Sequence, residues 1–153
     1  MTTVKREHIW QAARTLAACG LAWGATSLCG LKEVYWALIT TVIVTQSDLP
    51  ATLTLGRDRF LGTLLGTAAG LLIIEAVKHG LPSIPLFWAA LMPLALISAV
   101  WPNMRIACIT LIVLILVPSA GPDFGRPIDR VAEILIGIVA SIMAAAVIRF
   151  KPE

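Results

Sequence analysis

Four arginines, Arg57, Arg59, Arg105 and Arg130, stand at the ends of apolar runs in a chain that carries few charges. A guanidinium keeps its charge in any protein setting and offers a planar fork of donors that fits a carboxylate, so arginines in apolar surroundings point to anion binding. Thr45, Gln46 and Asp48 lie together where one apolar run stops, and they could line a site for a solute. Glu133, Glu75 and Asp48 are the carboxyls placed to exchange protons. Tyr35-Trp36 opens an apolar run and offers aromatic faces to a substrate ring. Each residue also fits a plainer role. Arginines anchor helix ends to head groups, long side chains such as Arg14 and Glu75 reach back to the interface, and aromatics near run ends form a belt. The spacing alone leaves both roles open.

Other chemistries are excluded. There is no H-E-x-x-H pair, no P-loop lysine and no nucleophile elbow, so nothing marks the chain as an enzyme. His8 and His79 belong to opposite ends of different runs and cannot form a pair. Cys19, Cys29 and Cys108 sit inside apolar runs without metal-ligand spacing and read as small packing residues. No metal and no cofactor is expected. The net charge of +3 is not gathered into a basic, aromatic-studded surface, so nucleic acid is not a partner.

The elements that must position these residues follow from composition. The chain is 58% hydrophobic and 14% charged, against about 25% charged in ordinary soluble domains. Its mean hydropathy is +0.88. The apolar residues fall into six runs: Ile9–Leu31, Val34–Ser47, Phe60–Val77, Leu86–Trp101, Met104–Val117 and Val131–Ile148. A helix needs roughly 20 residues to cross the hydrocarbon core. The predicted fold is therefore all-α and integral to a membrane, one module over residues 1–153 with six transmembrane helices. The first run is too long for a signal peptide and is read as a retained helix. Runs two and five are short, and each stops at a proline-containing stretch, Ser47-Asp48-Leu49-Pro50 and Pro118-Ser119-Ala120-Gly121-Pro122. With the N-terminus inside, Lys5, Arg6, Arg57, Arg59, Arg105, Arg149 and Lys151 face the cytoplasm, against Lys32, Lys78, Arg126 and Arg130 outside, which favours both termini in the cytoplasm.

Gly62, Gly66 and Gly70 recur every fourth residue after Arg59. On a helix they form a smooth stripe that lets a neighbour approach closely, as membrane helices do. The pattern returns later in the chain. Ala37-Leu38-Ile39-Thr40 is echoed by Ala107-Cys108-Ile109-Thr110, and Arg59…Gly62…Gly66…Gly70 by Arg130…Glu133…Gly137…Ser141. Runs one to three (about residues 8–78) thus correspond to runs four to six (about 85–150). Three spans is an odd number, so the copies are inverted, a plan found in secondary transporters. In such proteins paired, interrupted helices, here two and five, mark the binding site. Chance likeness between apolar segments, and ordinary loops at the breaks, remain the plainer alternatives.

The segments Tyr35-Trp36-Ala37-Leu38-Ile39-Thr40, Val44-Thr45-Gln46 and Arg59-Phe60-Leu61-Gly62-Thr63-Leu64-Leu65-Gly66 resemble the fusaric acid resistance (FUSC) family of the aromatic acid exporter superfamily. Arg14-Thr15-Leu16-Ala17 is similar to that family's first helix, and Arg130-Val131-Ala132-Glu133-Ile134-Leu135-Ile136-Gly137 to its last. The resemblance covers nearly the whole chain. It implies a six-helix membrane unit that exports aromatic carboxylic acids or related organic anions. The plant aluminium-activated malate transporters, dimeric anion channels, are similar in this unit. Family exporters often carry two such modules where this chain carries one, which implies self-association, most simply as a dimer.

The expectation is thus an inner (plasma) membrane, multi-pass exporter of a small organic anion, with proton coupling open. Two alternatives stand beside it: a passive anion channel formed by a homodimer, and a non-transporting membrane subunit of an efflux complex with a periplasmic adaptor.

Overall fold

The structure, a computed structural model, describes residues 6–31, 33–117 and 125–148. They form six α-helices: α1 (Arg6–Leu28), α2 (Val34–Val44), α3 (Leu49–Lys78), α4 (Ser83–Val100), α5 (Arg105–Leu116) and α6 (Gly125–Val147), with a 3-10 turn at Pro102–Met104 before α5. Each apolar run becomes one helix, because a backbone in lipid must satisfy its polar groups within the segment. Three helices are long and apolar enough to cross a membrane: Leu49–Lys78, Ser83–Val100 and Pro127–Val147. The expected six spans are therefore seen as six helices, three of which reach spanning length and hydropathy. Helix α1 has the length but not the hydropathy. Helices α2 and α5, of 11 and 12 residues, are about 16 and 18 Å long, roughly half the hydrocarbon thickness.

The proline reading needs correction at the first break. Helix α2 ends at Val44, and Thr45 turns to an extended conformation (φ −70°, ψ 109°). Pro50 does not end α2; it lies in the first turn of α3. There the N–H it lacks would have had no intrahelical partner. Helix α3 consequently starts well before the apolar run and carries Arg57, Asp58 and Arg59 within it. Helix α5 ends at Leu116, with Val117 extended (φ −79°, ψ 116°) ahead of Pro118. Pro118 and Pro122, like Lys5, Lys32, Arg149 and Lys151 and the side chains of Arg6 and Arg126, lie outside the described residues.

Helices α1 and α3 end alike. Gly30 and Gly80 have positive φ (69° and 87°). Leu31 N–H then reaches back to Thr26 O at 3.1 Å, and Leu81 N–H to Ala76 O at 3.2 Å. These are glycine-capped helix ends, in which the left-handed residue lets the chain satisfy carbonyls that the helix leaves open.

The chain divides into two compact units, Met1–Arg57 with Ala132–Glu153, and Asp58–Val131. In the first, Ala22 of α1, Ala37 of α2 and Ala140 of α6 are buried against one another. A Cβ added at Gly137 would stand 2.6 Å from Ala37 O and 3.0 Å from Thr40 Cβ, so α6 and α2 meet backbone to backbone there. In the second, Ile73, Phe87, Leu94, Ala107 and Leu111 make the core between the later part of α3, α4 and α5. Gly62, Gly66 and Gly70 lie along α5, facing Ile106, then Ala107 and Thr110, then Leu114. The glycine stripe packs as its spacing suggests, since only a bare Cα lets two backbones come this close. Helix α4 turns Ile84, Trp88, Met92, Leu96 and Val100 outward at four-residue intervals, each 62–70% exposed, which suits a helix in contact with lipid.

Candidate functional site

Helix α3 buries one face, and that face is unusual. From Thr52 to Gly70 its buried residues are Thr52, Gly56, Arg59, Gly62, Thr63, Gly66, Thr67 and Gly70, with no aliphatic side chain until Ile73. Arg59 sits in the middle and is 6% exposed. Its Nε is buried without a partner, and among the described residues its guanidinium makes no hydrogen bond or ion pair. Thr63 Oγ1, one turn on, donates to Arg59 O at 2.8 Å, so the hydroxyl is satisfied by the helix backbone while the guanidinium is left to other ligands. A buried guanidinium without an acceptor is costly, and in membrane helices such groups mark solute sites.

The structure separates the remaining arginines. Arg57 and Arg105 are exposed. Two residues apart on a helix is a rotation of about 200°, so Arg57 and Arg59 cannot share a face. Arg130 on α6 is 4% exposed. Beside Arg57, Asp58 Oδ2 accepts a hydrogen bond from Asn103 Nδ2 at 2.6 Å, joining α3 to the turn before α5. No spacing or motif marks that contact in advance.

The break after α2 is more fully occupied than its sequence suggests. Thr45, 2% exposed, donates its hydroxyl to Thr41 O at 2.7 Å. Its carbonyl accepts from Gln11 Nε2 at 3.1 Å. Gln46 N–H donates to Thr52 Oγ1 at 3.1 Å, and Gln46 Nε2 to Ile43 O at 3.2 Å. Asp48 precedes α3 and caps it, its Oδ2 accepting from Ala51 N–H at 3.4 Å while Asp48 O accepts from Thr52 Oγ1 at 2.9 Å. The carbonyls of Gln46 and Ser47 accept from Arg14 Nη1 at 2.7 and 2.5 Å. Arg14 Nε also donates to Ile148 O at 3.0 Å, and Nη2 bonds the same oxygen. Arg14 is 3% exposed, so it does not reach out to the interface as its place near a run end implied. Gln11 is the residue that the sequence reading misses, and Arg14 is one that it names but assigns to the interface. The available signal was their spacing, which puts two polar side chains on the same face of α1 as buried Ala18 and Ala22.

At the other end of α2, Glu133 of α6 is 1% exposed, and its Oε1 accepts from the backbone N–H of Glu33 at 3.0 Å. Glu33 Oε2 in turn accepts from Trp36 Nε1 at 3.0 Å. Tyr35 is half exposed, its ring centre 5.4 Å from that of Trp36. Trp36 is therefore held by a carboxylate, whereas Tyr35 is open to its surroundings. Glu75 is exposed near the end of α3, 3.5 Å from Lys78 Nζ and 3.7 Å from His79 Nε2, which gives it surface partners.

The glycines show a further regularity. A Cβ on Gly66 would meet Ala107 O and lie 2.7 Å from Thr110 Cβ; one on Gly137 would lie 2.6 Å from Ala37 O and 3.0 Å from Thr40 Cβ. Ala37 and Thr40 are the residues echoed in sequence by Ala107 and Thr110. The same four-part contact thus occurs once within each unit, between the third helix of one half of the sequence and the second helix of the other.

No curated protein matches the chain. The family model for fusaric acid resistance protein-like sequences matches residues 21–144, from the middle of α1 to near the end of α6. That span takes in the buried α3 face, the break after α2 and both glycine contacts. With six helices, apolar outward faces and this match over most of its length, the chain belongs to the fusaric acid resistance protein-like family, a family of membrane transport and resistance proteins.

Proposed function

We propose that the protein exports organic anions, aromatic carboxylic acids among them, across the inner membrane from the cytoplasm, with Arg59 as the principal anion-binding group. The observation that carries this reading is the burial of Arg59 in a spanning helix without an acceptor of its own. A carboxylate would take up its donors in a bidentate pair. Thr63 and Thr67 extend the same face by one and two turns, so a polar strip continues from the arginine into the apolar part of α3. Exposed Arg57 and Arg105 attract the anion to the surface first, and buried Arg130 provides a second cationic point. Thr45, Gln46 and Asp48 shape the break after α2, and Tyr35, held next to Trp36, offers an aromatic face.

Glu133 is the leading carboxyl for proton coupling because it is buried and accepts a backbone N–H at the start of α2. Glu75 and Asp48, both exposed, are secondary candidates. The paired contacts of Gly66 and Gly137 support two inverted three-helix copies, with both termini in the cytoplasm. One such module completes its path as a homodimer, and a periplasmic adaptor is a further partner in this reading.

The test is uptake of a labelled benzoate-type carboxylate by proteoliposomes holding Arg59→Ala or Arg59→Lys protein. Truncating one partner of a buried charge pair typically costs about 2–5 kcal/mol, so the alanine variant loses about 30-fold or more in apparent affinity. The lysine variant keeps the charge but not the fork and falls between. Transport by Arg59→Ala at the wild-type rate and KM overturns the assignment. Steady anion current without dependence on a pH gradient would mark a passive channel instead of a coupled exporter.

A further inference from the structure

We propose that the main-chain carbonyls of Gln46, Ser47 and Ile148 form an internal cation site that the chain fills with its own Arg14. Gln46 and Ser47 follow the C-terminal end of α2, and Ile148 follows that of α6. Arg14 reaches all three from α1, with Nη1 at 2.7 Å from Gln46 O and 2.5 Å from Ser47 O, Nε at 3.0 Å from Ile148 O, and Nη2 on that same oxygen. The side chain is 3% exposed. Each acceptor is a main-chain carbonyl just beyond a helix end, outside the helix itself, and no carboxylate takes part in these bonds.

The electrostatics fit a single positive charge. The C-terminal ends of α2 and α6 each present partial negative charge, which the α3 N-terminus at Leu49 offsets in part, and the three carbonyl oxygens add their own. In broken-helix membrane proteins, unwound carbonyls and helix C-terminal ends of this kind coordinate a monovalent ion. Here a tethered guanidinium occupies that position. It joins the interrupted end of α2 to the end of α6, and Gln11, one turn earlier on α1, takes the adjacent Thr45 carbonyl at 3.1 Å. Arg14 has no arginine counterpart in the second half of the sequence: the offset that carries Ala37 to Ala107 carries Arg14 to Ile84. An inorganic monovalent cation is thus unnecessary at this point in the wild-type protein, and a free cation of matching size and donors replaces the side chain when it is removed. This inference does not rest on the transport reading, and its readout is stability, not flux.

The experiment is thermal unfolding of the purified full-length protein in detergent, with Arg14→Ala, Arg14→Lys and Arg14→Met compared with wild type. Each is measured in millimolar guanidinium, sodium or potassium chloride against choline chloride at equal ionic strength. Arg14→Ala is expected to unfold at lower temperature in choline and to recover saturably in guanidinium, and in part in sodium or potassium, whereas wild type does not respond. Equal unfolding temperatures of Arg14→Ala in guanidinium and choline overturn the proposal. If Arg14→Ala does not accumulate, the other two variants decide: a cation site ranks lysine above methionine, and methionine equal to or above lysine shows that Arg14 acts by apolar packing of its stem.

Discussion

Alanine scanning of the glycines separates close backbone contact from simple helix propensity. Gly66 and Gly137 are the critical positions. A Cβ on Gly66 overlaps Ala107 O and stands 2.7 Å from Thr110 Cβ, and one on Gly137 stands 2.6 Å from Ala37 O. A backbone oxygen cannot rotate away, so the helices must separate. At Gly62 the nearest atom is Ile106 Cβ at 2.8 Å, with Ala107 N at 3.3 Å. At Gly70 the overlap is with Leu114 Cδ2, the far end of a side chain that can turn aside. Gly20 and Gly24 on α1 have nothing within 4 Å. Overpacking costs about 1–3 kcal/mol. Alanine also returns about 1 kcal/mol of helix propensity wherever it replaces glycine. The propensity gain cancels between sites, so the difference between Gly66→Ala and Gly24→Ala isolates the overlap. At about 2–4 °C per kcal/mol for a chain of this size, that difference is about 2–12 °C in Tm. The assay is thermal unfolding in one detergent across the series. Gly66 and Gly137 should fall furthest, Gly62 next and Gly70 little, with Gly20 and Gly24 unchanged or raised. A Gly66→Ala protein as stable as Gly24→Ala would refute the backbone-contact argument, and a large gap between Gly66 and Gly137 would refute their equivalence.

Two further outcomes follow from the same geometry. Glu133→Gln keeps an oxygen that can accept the Glu33 N–H now held at 3.0 Å, so it should fold normally while flux loses its dependence on a pH gradient; unchanged pH-gradient dependence in proteoliposomes rules out Glu133 as the coupling group. Gly30→Ala and Gly80→Ala force alanine into positive φ (69° and 87°) and should each lower stability by about 1–2 kcal/mol despite the open space around both; Tm values at or above wild type would show that these helix ends can uncoil without loss.

Much of the fold is legible locally. The six helices follow from six apolar runs, because lipid requires each backbone segment to satisfy itself. The packing role of Gly62, Gly66 and Gly70 follows from a four-residue interval that holds wherever the helix lies. Helix ends were less legible. Pro50 looked like a terminator of run two, yet it starts α3, since a proline is equally at home in a first helical turn. Moving that start to Leu49 placed Arg57 and Arg59 on one continuous helix and so on different faces. The candidate site was legible in its residue types, the arginines and threonines, but not in their states. Burial of Arg59 and exposure of Arg57 depend on which neighbours cover α3.

The sequence by itself determined a helical membrane protein, its family, the glycine stripe and an arginine at the head of that stripe. All of these rest on spacing within one helix or on likeness between short segments. The tertiary structure alone decided that Gly66 faces Ala107 and Thr110, that Arg59 is buried without an acceptor, and that Arg14 holds the ends of two helices. Those outcomes depend on main-chain oxygens just beyond helix ends and on atoms from distant parts of the chain, Arg14 and Ile148 being 134 positions apart. A carbonyl has the same chemistry at every residue. Which side chain reaches it is set by how the helices pack, and no local pattern records that.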